Sequence, residues 1–186
     1  MSTEPKNGNP EMGKAIMLKK LHDSEIQFKL ALAVWATCES SDERLLKYIG
    51  TFSYGKHIMS AKELTLTAEE EKRAAVILEH SATYFMALQL DDILIKLFPD
   101  PTRHQDANIR NGAQIIHLIR NAYAHDPLEP TWRIPHYCEN QIITIEKIIS
   151  LNTAGLDGKT LKQMDYGGPI SLLRLVQYFE QVIQAT

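Results

Sequence analysis

The chain has 186 residues, of which 44% are hydrophobic and 23% charged, and its net charge is −3. This balance excludes a disordered chain, a collagen-like or coiled-coil rod, and the broad basic surface of a DNA-coating protein. The length suits one domain with a substantial core.

Residues 1–13 are polar and rich in Pro, Gly and Asn, and read as a disordered leader. They lack the basic start and apolar stretch of a secretion signal. No apolar run approaches the roughly 20 residues of a membrane span. The expectation is therefore a soluble, cytoplasmic protein with no membrane partner. Cys38 and Cys138 stand far apart, match no metal-binding spacing and read as reduced thiols. Residues 14–186 read as a single helical domain, with 131–168 set into it as an extended or β insertion.

From Lys14, the apolar residues Met17, Leu21, Phe28, Leu32 and Trp35 recur at three-, four- or seven-residue spacing, which predicts an amphipathic helix to about Cys38. Ser40-Ser41-Asp42 marks a break and a choice of N-caps. A second helix is expected to carry Leu45, Leu46, Tyr48, Ile49 and Phe52 and then Ile58 and Met59, with Gly50 and Gly55 as its weak points. Thr67 and Glu70 form a capping box. The longest periodic segment follows, Ala68 to Leu97, roughly 45 Å at 1.5 Å per residue. On it Ala74, Ile77, Ser81, Tyr84, Leu88 and Ile95 share one line, and Tyr84-Phe85-Met86 reads as core. Phe98-Pro99-Asp100-Pro101 stops this helix, and Asp106 begins the next.

After Asp126 the pattern changes. Thr131-Trp132-Arg133-Ile134-Pro135 is extended between two prolines, and Ile142, Ile143, Ile145, Ile148 and Ile149 form a β-branched run. With Asp157-Gly158 as a tight-turn signal, this predicts a small β-hairpin, although 141–150 also suits a short helix. Gly167-Gly168-Pro169 opens a last helix with Leu172, Leu175, Val176, Phe179 and Ile183 on one side. The fold class is mostly α, an antiparallel helical bundle with a small β-hairpin appendage near the C-terminus.

Function concentrates in Ile115–Pro127, the last turns of the helix begun at Asp106. At 100° per residue its apolar stripe is Ile109, Gly112, Ala113, Ile116, Ile119 and Tyr123, and Arg120 falls inside it. A buried Arg needs a partner. His117, Asn121 and His125 follow at i, i+4 and i+8 and share a strip of surface. A guanidinium forks two donors toward a phosphate, and an imidazole exchanges protons near neutrality. Together with an amide they suit cleavage of an RNA phosphodiester. The imidazole takes the proton of the ribose 2′-OH while the guanidinium stabilises charge on the phosphate. Such chemistry needs no metal and no cofactor, because the nucleophile is already in the substrate.

Arg120-Asn121-Ala122-Tyr123-Ala124-His125 resembles the Arg, polar residue, short spacer, His signature of the HEPN superfamily. These are small helical-bundle proteins of prokaryotic defence and toxin–antitoxin systems, several of them metal-independent ribonucleases. The resemblance covers the motif, the long helix before it and the bundle architecture; the β-rich tail lies outside it. It implies Arg120 and His125 as catalytic residues with Asn121 in support; beside them, His117 and Tyr123 are further candidates for substrate contact. It also implies a homodimer that pairs two copies of this helix around one RNA cleft, and a cognate antitoxin. A partner copy would then cover Arg120.

Two other readings stay open. On an ideal helix Arg120 and His125 point about 140° apart. They converge if the helix unwinds near Ala124, if Arg120 curls across, or if a second copy supplies one group. Alternatively the corner is structural and the protein a non-catalytic binding or scaffold module. His125 then caps terminal carbonyls, and Arg120 pairs with an acid such as Asp92 or Glu79. His125-Asp126 alone is a poor match to a metal phosphohydrolase site, which needs ligands from several helices. Trp132 reads as a core plug rather than a base-stacking platform, and Asp91-Asp92 as solvated.

Overall fold

The computed structural model describes residues 10–40, 52–60 and 65–186. Their elements are helix α1 (Pro10–Ser40), strands β1 (Phe52–Tyr54) and β2 (His57–Met59), and helices α2 (Ala68–Leu97) and α3 (Ala107–His125). Strands β3 (Ile142–Ile145) and β4 (Ile149–Asn152) and helix α4 (Pro169–Ala185) follow, with short 3-10 turns at Pro101–Arg103, His136–Cys138 and Gln163–Tyr166. The mostly α expectation holds, as does the hairpin ahead of the last helix. The chain divides into two compact units, Met1–Ile26 with Tyr84–Thr186, and Gln27–Thr83. Among the described residues no helix is long and apolar enough to cross a membrane.

In the unit Gln27–Thr83 the buried side chains among the described residues mix apolar and polar groups. Phe28, Ala31, Cys38, Ala75 and Ala82 are joined by Glu71, Glu79 and Thr83. Thr83 Oγ1 donates to Glu79 Oε1 (2.6 Å), which satisfies a buried carboxylate. Trp35, placed on the apolar face by its spacing, is 39% exposed. The capping box at the head of α2 is formed: Glu70 N donates to Thr67 Oγ1 (3.2 Å), and Thr67 N to Glu70 Oε2 (2.6 Å). Glu69, Glu70 and Glu71 add favourable charge at that helix start.

Where the expected second helix falls on described residues, over Phe52–Met59, two short strands form instead. Residues 41–51, with the Ser41-Asp42 break and Leu45–Ile49, lie outside the described residues, while Phe52, Ile58 and Met59 fall on β1 and β2. These strands pair antiparallel with Tyr54 opposite His57, leaving Gly55-Lys56 as a two-residue loop. Gly55 has φ +60°, the conformation such a tight loop requires and glycine supplies without strain. What weakened the helix pattern was a turn.

In the other unit α1 already includes Pro10–Gly13, part of the segment read as a leader. Proline suits a first helical turn, where its missing N–H has no acceptor. The core holds Leu21, Met86, Leu90, Leu94, Ile115, Ile116, Ile119, Leu172, Val176 and Phe179. On α2 the buried line is Met86, Ala87, Leu90, Asp91 and Leu94; Ala74, Ser81 and Ile95 are exposed, and Phe85 of the supposed core cluster is 38% exposed. A Cβ on Gly112 would sit 2.6 Å from Phe179 Cε2 and 3.0 Å from Ile145 Cδ1, so this glycine sets the closeness of α3 to α4 and β3.

In β3 and β4, Ile143 and Ile145 face inward opposite Leu151 and Ile149, while Thr144 and Ser150 point outward with their hydroxyls 2.7 Å apart. The hairpin turns at Glu146-Lys147-Ile148, with Lys147 at φ 63°. Asp157-Gly158, read as the tight turn, lies beyond the hairpin. It serves a different pairing: Gly158 N donates to Trp132 O and Trp132 N to Lys159 O, alongside a Thr131–Thr160 bridge. The extended segment after Pro130 is thereby clamped next to the end of α3, where Thr131 N donates to Ala122 O (3.4 Å). Trp132 is fully buried and its indole N–H donates to Asp165 Oδ2 (2.8 Å), so it packs as expected and is closed to a nucleobase.

Candidate functional site

Two aspartates bound the helix that carries the motif. Asp106 Oδ1 accepts from Asn108 N (2.8 Å) and Ile109 N (3.1 Å), an N-cap that fixes where α3 begins. Asp126 ends it in an extended conformation ahead of Pro127, and its Oδ1 accepts from Leu128 N and Glu129 N. Between them the helix is regular through His125, with no unwinding at Ala124. Arg120 and His125 therefore keep their separation of about 140° around the axis.

The position of Arg120 is explained within the chain. Its Nε lies 3.8 Å from Oδ2 of Asp91, a carboxylate from α2 whose side chain is only 6% exposed. This is too long for a hydrogen bond and close enough for Coulombic attraction. The same carboxylate receives His117 Nδ1 at 3.3 Å from Oδ1 and 3.4 Å from Oδ2. Arg120 Nη1 also donates to Asn121 Oδ1 (2.8 Å). One buried acid thus holds a guanidinium and an imidazole, and an amide holds the guanidinium from its other side. Sequence reasoning had set Asp91 among solvated residues and offered Asp92 or Glu79 as the partner of Arg120. Asp92 is exposed, and Glu79 is engaged by Thr83. The legible clue was an acid in the slot that continues Ala87, Leu90 and Leu94 along the apolar line of α2.

The other candidates separate. His125 is exposed at the last position of α3, and among the described residues nothing hydrogen-bonds to its imidazole, so it does not cap the helix carbonyls. Tyr123 is fully buried and stacks on Tyr84 (centroids 6.4 Å apart, 25° between planes), which removes it from substrate contact. His117 is held by Asp91 on one nitrogen and borders an open hollow of about 350 Å³.

That hollow brings in residues that pattern reading did not single out as a site. Asn121 shares the α3 wall with His117; Arg133, Ile134, Pro135 and Tyr137 come from the segment after Trp132, and Asp157 from the turn clamped against it. Asp157 Oδ1 accepts from Ile134 N (2.9 Å), which ties these walls together. The Tyr137 phenol is pushed above its ordinary value of 10.0, first by burial, then by Cys138; Arg103 opposes, and Asp100 and Asp91 add. It therefore stays a protonated donor at neutral pH. Burial also raises the Cys138 thiol above its ordinary 9.0. Both cysteines are free and buried.

For a metal, the described residues offer one group, His22, Glu25 and Glu180, with ligand atoms within 4.8 Å of one another. Gln177 Nε2 already donates to Glu25 Oε1 (2.9 Å) there. None of these residues belongs to the α3 corner. Comparison of the chain with protein-family models, with curated proteins and with solved structures finds no match.

Proposed function

We propose that this protein is a metal-independent endoribonuclease of the HEPN-like kind, acting as a homodimer. The observation that carries the reading is that His125, on the same regular helix as Arg120, has no hydrogen-bond partner among the described residues. An imidazole at a helix end that makes no hydrogen bond to a described residue is available to take the proton of a ribose 2′-OH. The oxygen so released attacks the adjacent phosphorus, the bond to the 5′-oxygen breaks to leave a 2′,3′-cyclic phosphate, and the departing 5′-oxygen takes a proton from water. Arg120 then faces the charge that builds on the phosphate oxygens. Asn121 fixes one arm of the guanidinium through Nη1, and Nη2 donates to none of the described residues, which leaves it for the phosphate. With the two groups about 140° apart on a helix that does not unwind, one active site takes Arg120 from one copy and His125 from another. Family likeness extends the reading to a toxin or defence component with a cognate antitoxin.

A second reading, a non-catalytic scaffold, is favoured by the Asp91–Arg120 contact, which already supplies the cation with an anion inside the chain. A net charge of −3 also contributes little to binding RNA phosphates. The purified protein is expected to cut RNA in the presence of EDTA. His125→Ala and Arg120→Ala should each lower the rate by about a hundredfold or more, the scale of a lost acid–base or oxyanion group, with unchanged circular dichroism. Wild-type cleavage by both variants would remove the catalytic assignment.

A further inference from the structure

The hollow beside His117 has the composition of a nucleotide site. With Nδ1 engaged by Asp91, the imidazole of His117 has Nε2 left for a ligand. Asn121 uses Oδ1 as acceptor for Arg120, so its amide N–H groups are the end left over. Across from them stand the exposed guanidinium of Arg133 and the ring of Tyr137, 48% exposed, with Ile134 as apolar lining. Two cation-capable groups, a free amide donor and an aromatic face match the phosphate, base edge and base plane of a single nucleotide. The volume of about 350 Å³ lies within the range of small-molecule sites, and the walls are tied before any ligand arrives, by Asp157 to Ile134 N and by the Thr131–Thr160 bridge. The hollow also adjoins the proposed chemistry, because Asn121 lines it while holding Arg120.

We propose that this hollow is a single-nucleotide subsite for the RNA residue next to the scissile phosphate, with Arg133 and His117 on a phosphate and Tyr137 stacked on the base. The ligand class rests on the ribonuclease reading; the location and the residues do not. Asp91 is a positioning residue in this scheme, since it orients His117 without touching the nucleotide.

The test is titration of the full chain with adenosine 3′-monophosphate, following the histidine-ring NMR signals that disappear in His117→Gln. Saturable shifts of those signals are expected. The dissociation constant should rise about tenfold or more in Arg133→Ala and in Tyr137→Ala, the effect of losing a phosphate contact or a stacked base. Tyr137→Phe should retain affinity, and His125→Ala should bind as wild type while failing to cut RNA. Both altered side chains are exposed, so the variants keep the fold. Absence of any shift up to about 10 mM, equal shifts from inorganic phosphate, or wild-type affinity in both alanine variants would overturn the subsite. Cleavage of RNA without nucleotide binding sinks the subsite and spares the nuclease. Binding without cleavage by the wild-type chain sinks the nuclease and leaves a nucleotide site.

Discussion

His117 and His125 stand two turns apart on α3 and share a strip of its surface, yet their surroundings differ. His117 is gripped at Nδ1 by a buried carboxylate that also draws in Arg120, and its side chain is 30% exposed. His125 ends the helix in the open, with no hydrogen bond to any described residue. An anchored imidazole has a set orientation and tautomer. An unanchored one is available for proton transfer but gains its geometry only when substrate or a second copy arrives. The middle of α3 is thus coupled to the fold, and its last residue faces the open.

Substitutions at the two places should separate stability from activity. Asp91→Ala leaves Arg120 Nε, which is shut off from solvent and makes no hydrogen bond, without its nearby anion, and frees His117. It is expected to lower unfolding stability by about 2–3 kcal/mol, less than a fully enclosed pair because the rest of Arg120 reaches water. Urea denaturation measures this, and an unmoved midpoint would break the anchoring claim. Gly112→Ala, about two turns before Arg120 on the same helix, forces a methyl against Phe179 and Ile145; a loss of about 1–3 kcal/mol is expected by the same assay. His125→Ala should change stability by less than about 0.5 kcal/mol.

The smallest expected effect lies at Cys138, buried next in sequence to Tyr137. Burial raises the Cys138 thiol in the folded chain above the ordinary 9.0 that it regains on unfolding. Its contribution to stability is therefore full below pH 9.0 and is lost as pH rises through the raised value. Cys138→Ala should flatten the fall in stability above that pH relative to wild type, as read from thermal unfolding across a pH series.

The caps and breaks of the helices were legible because their signals are local. Thr67 with Glu70 and Asp106 satisfy backbone N–H groups with their side chains, and Gly168 before Pro169 does so through its carbonyl, each within a few residues. The core face of α4 was equally plain, since Leu172, Leu175, Val176, Phe179 and Ile183 form one uninterrupted stripe and all are buried. The β1–β2 hairpin was missed because two three-residue strands carry too short a pattern to outweigh nearby leucines. Asp157-Gly158 was recognised as a turn but given to the wrong strands, because its partner segment at Trp132 is distant in sequence. The same distance hid half of the candidate site. Arg120, Asn121 and His125 stand together in one motif, whereas Asp91, Arg133, Tyr137 and Asp157 meet α3 only through tertiary folding.

Complementation of two inactive chains tests the composite ribonuclease site most directly. Arg120→Ala and His125→Ala proteins, each inactive alone, are mixed, unfolded and refolded together, and assayed on RNA in EDTA. If Arg120 of one copy works with His125 of the other, half of the dimers are mixed and each carries one intact site. The mixture should then recover about a quarter of the wild-type rate. A mixture that stays inactive while refolded wild type cuts RNA would contradict a site shared between two copies.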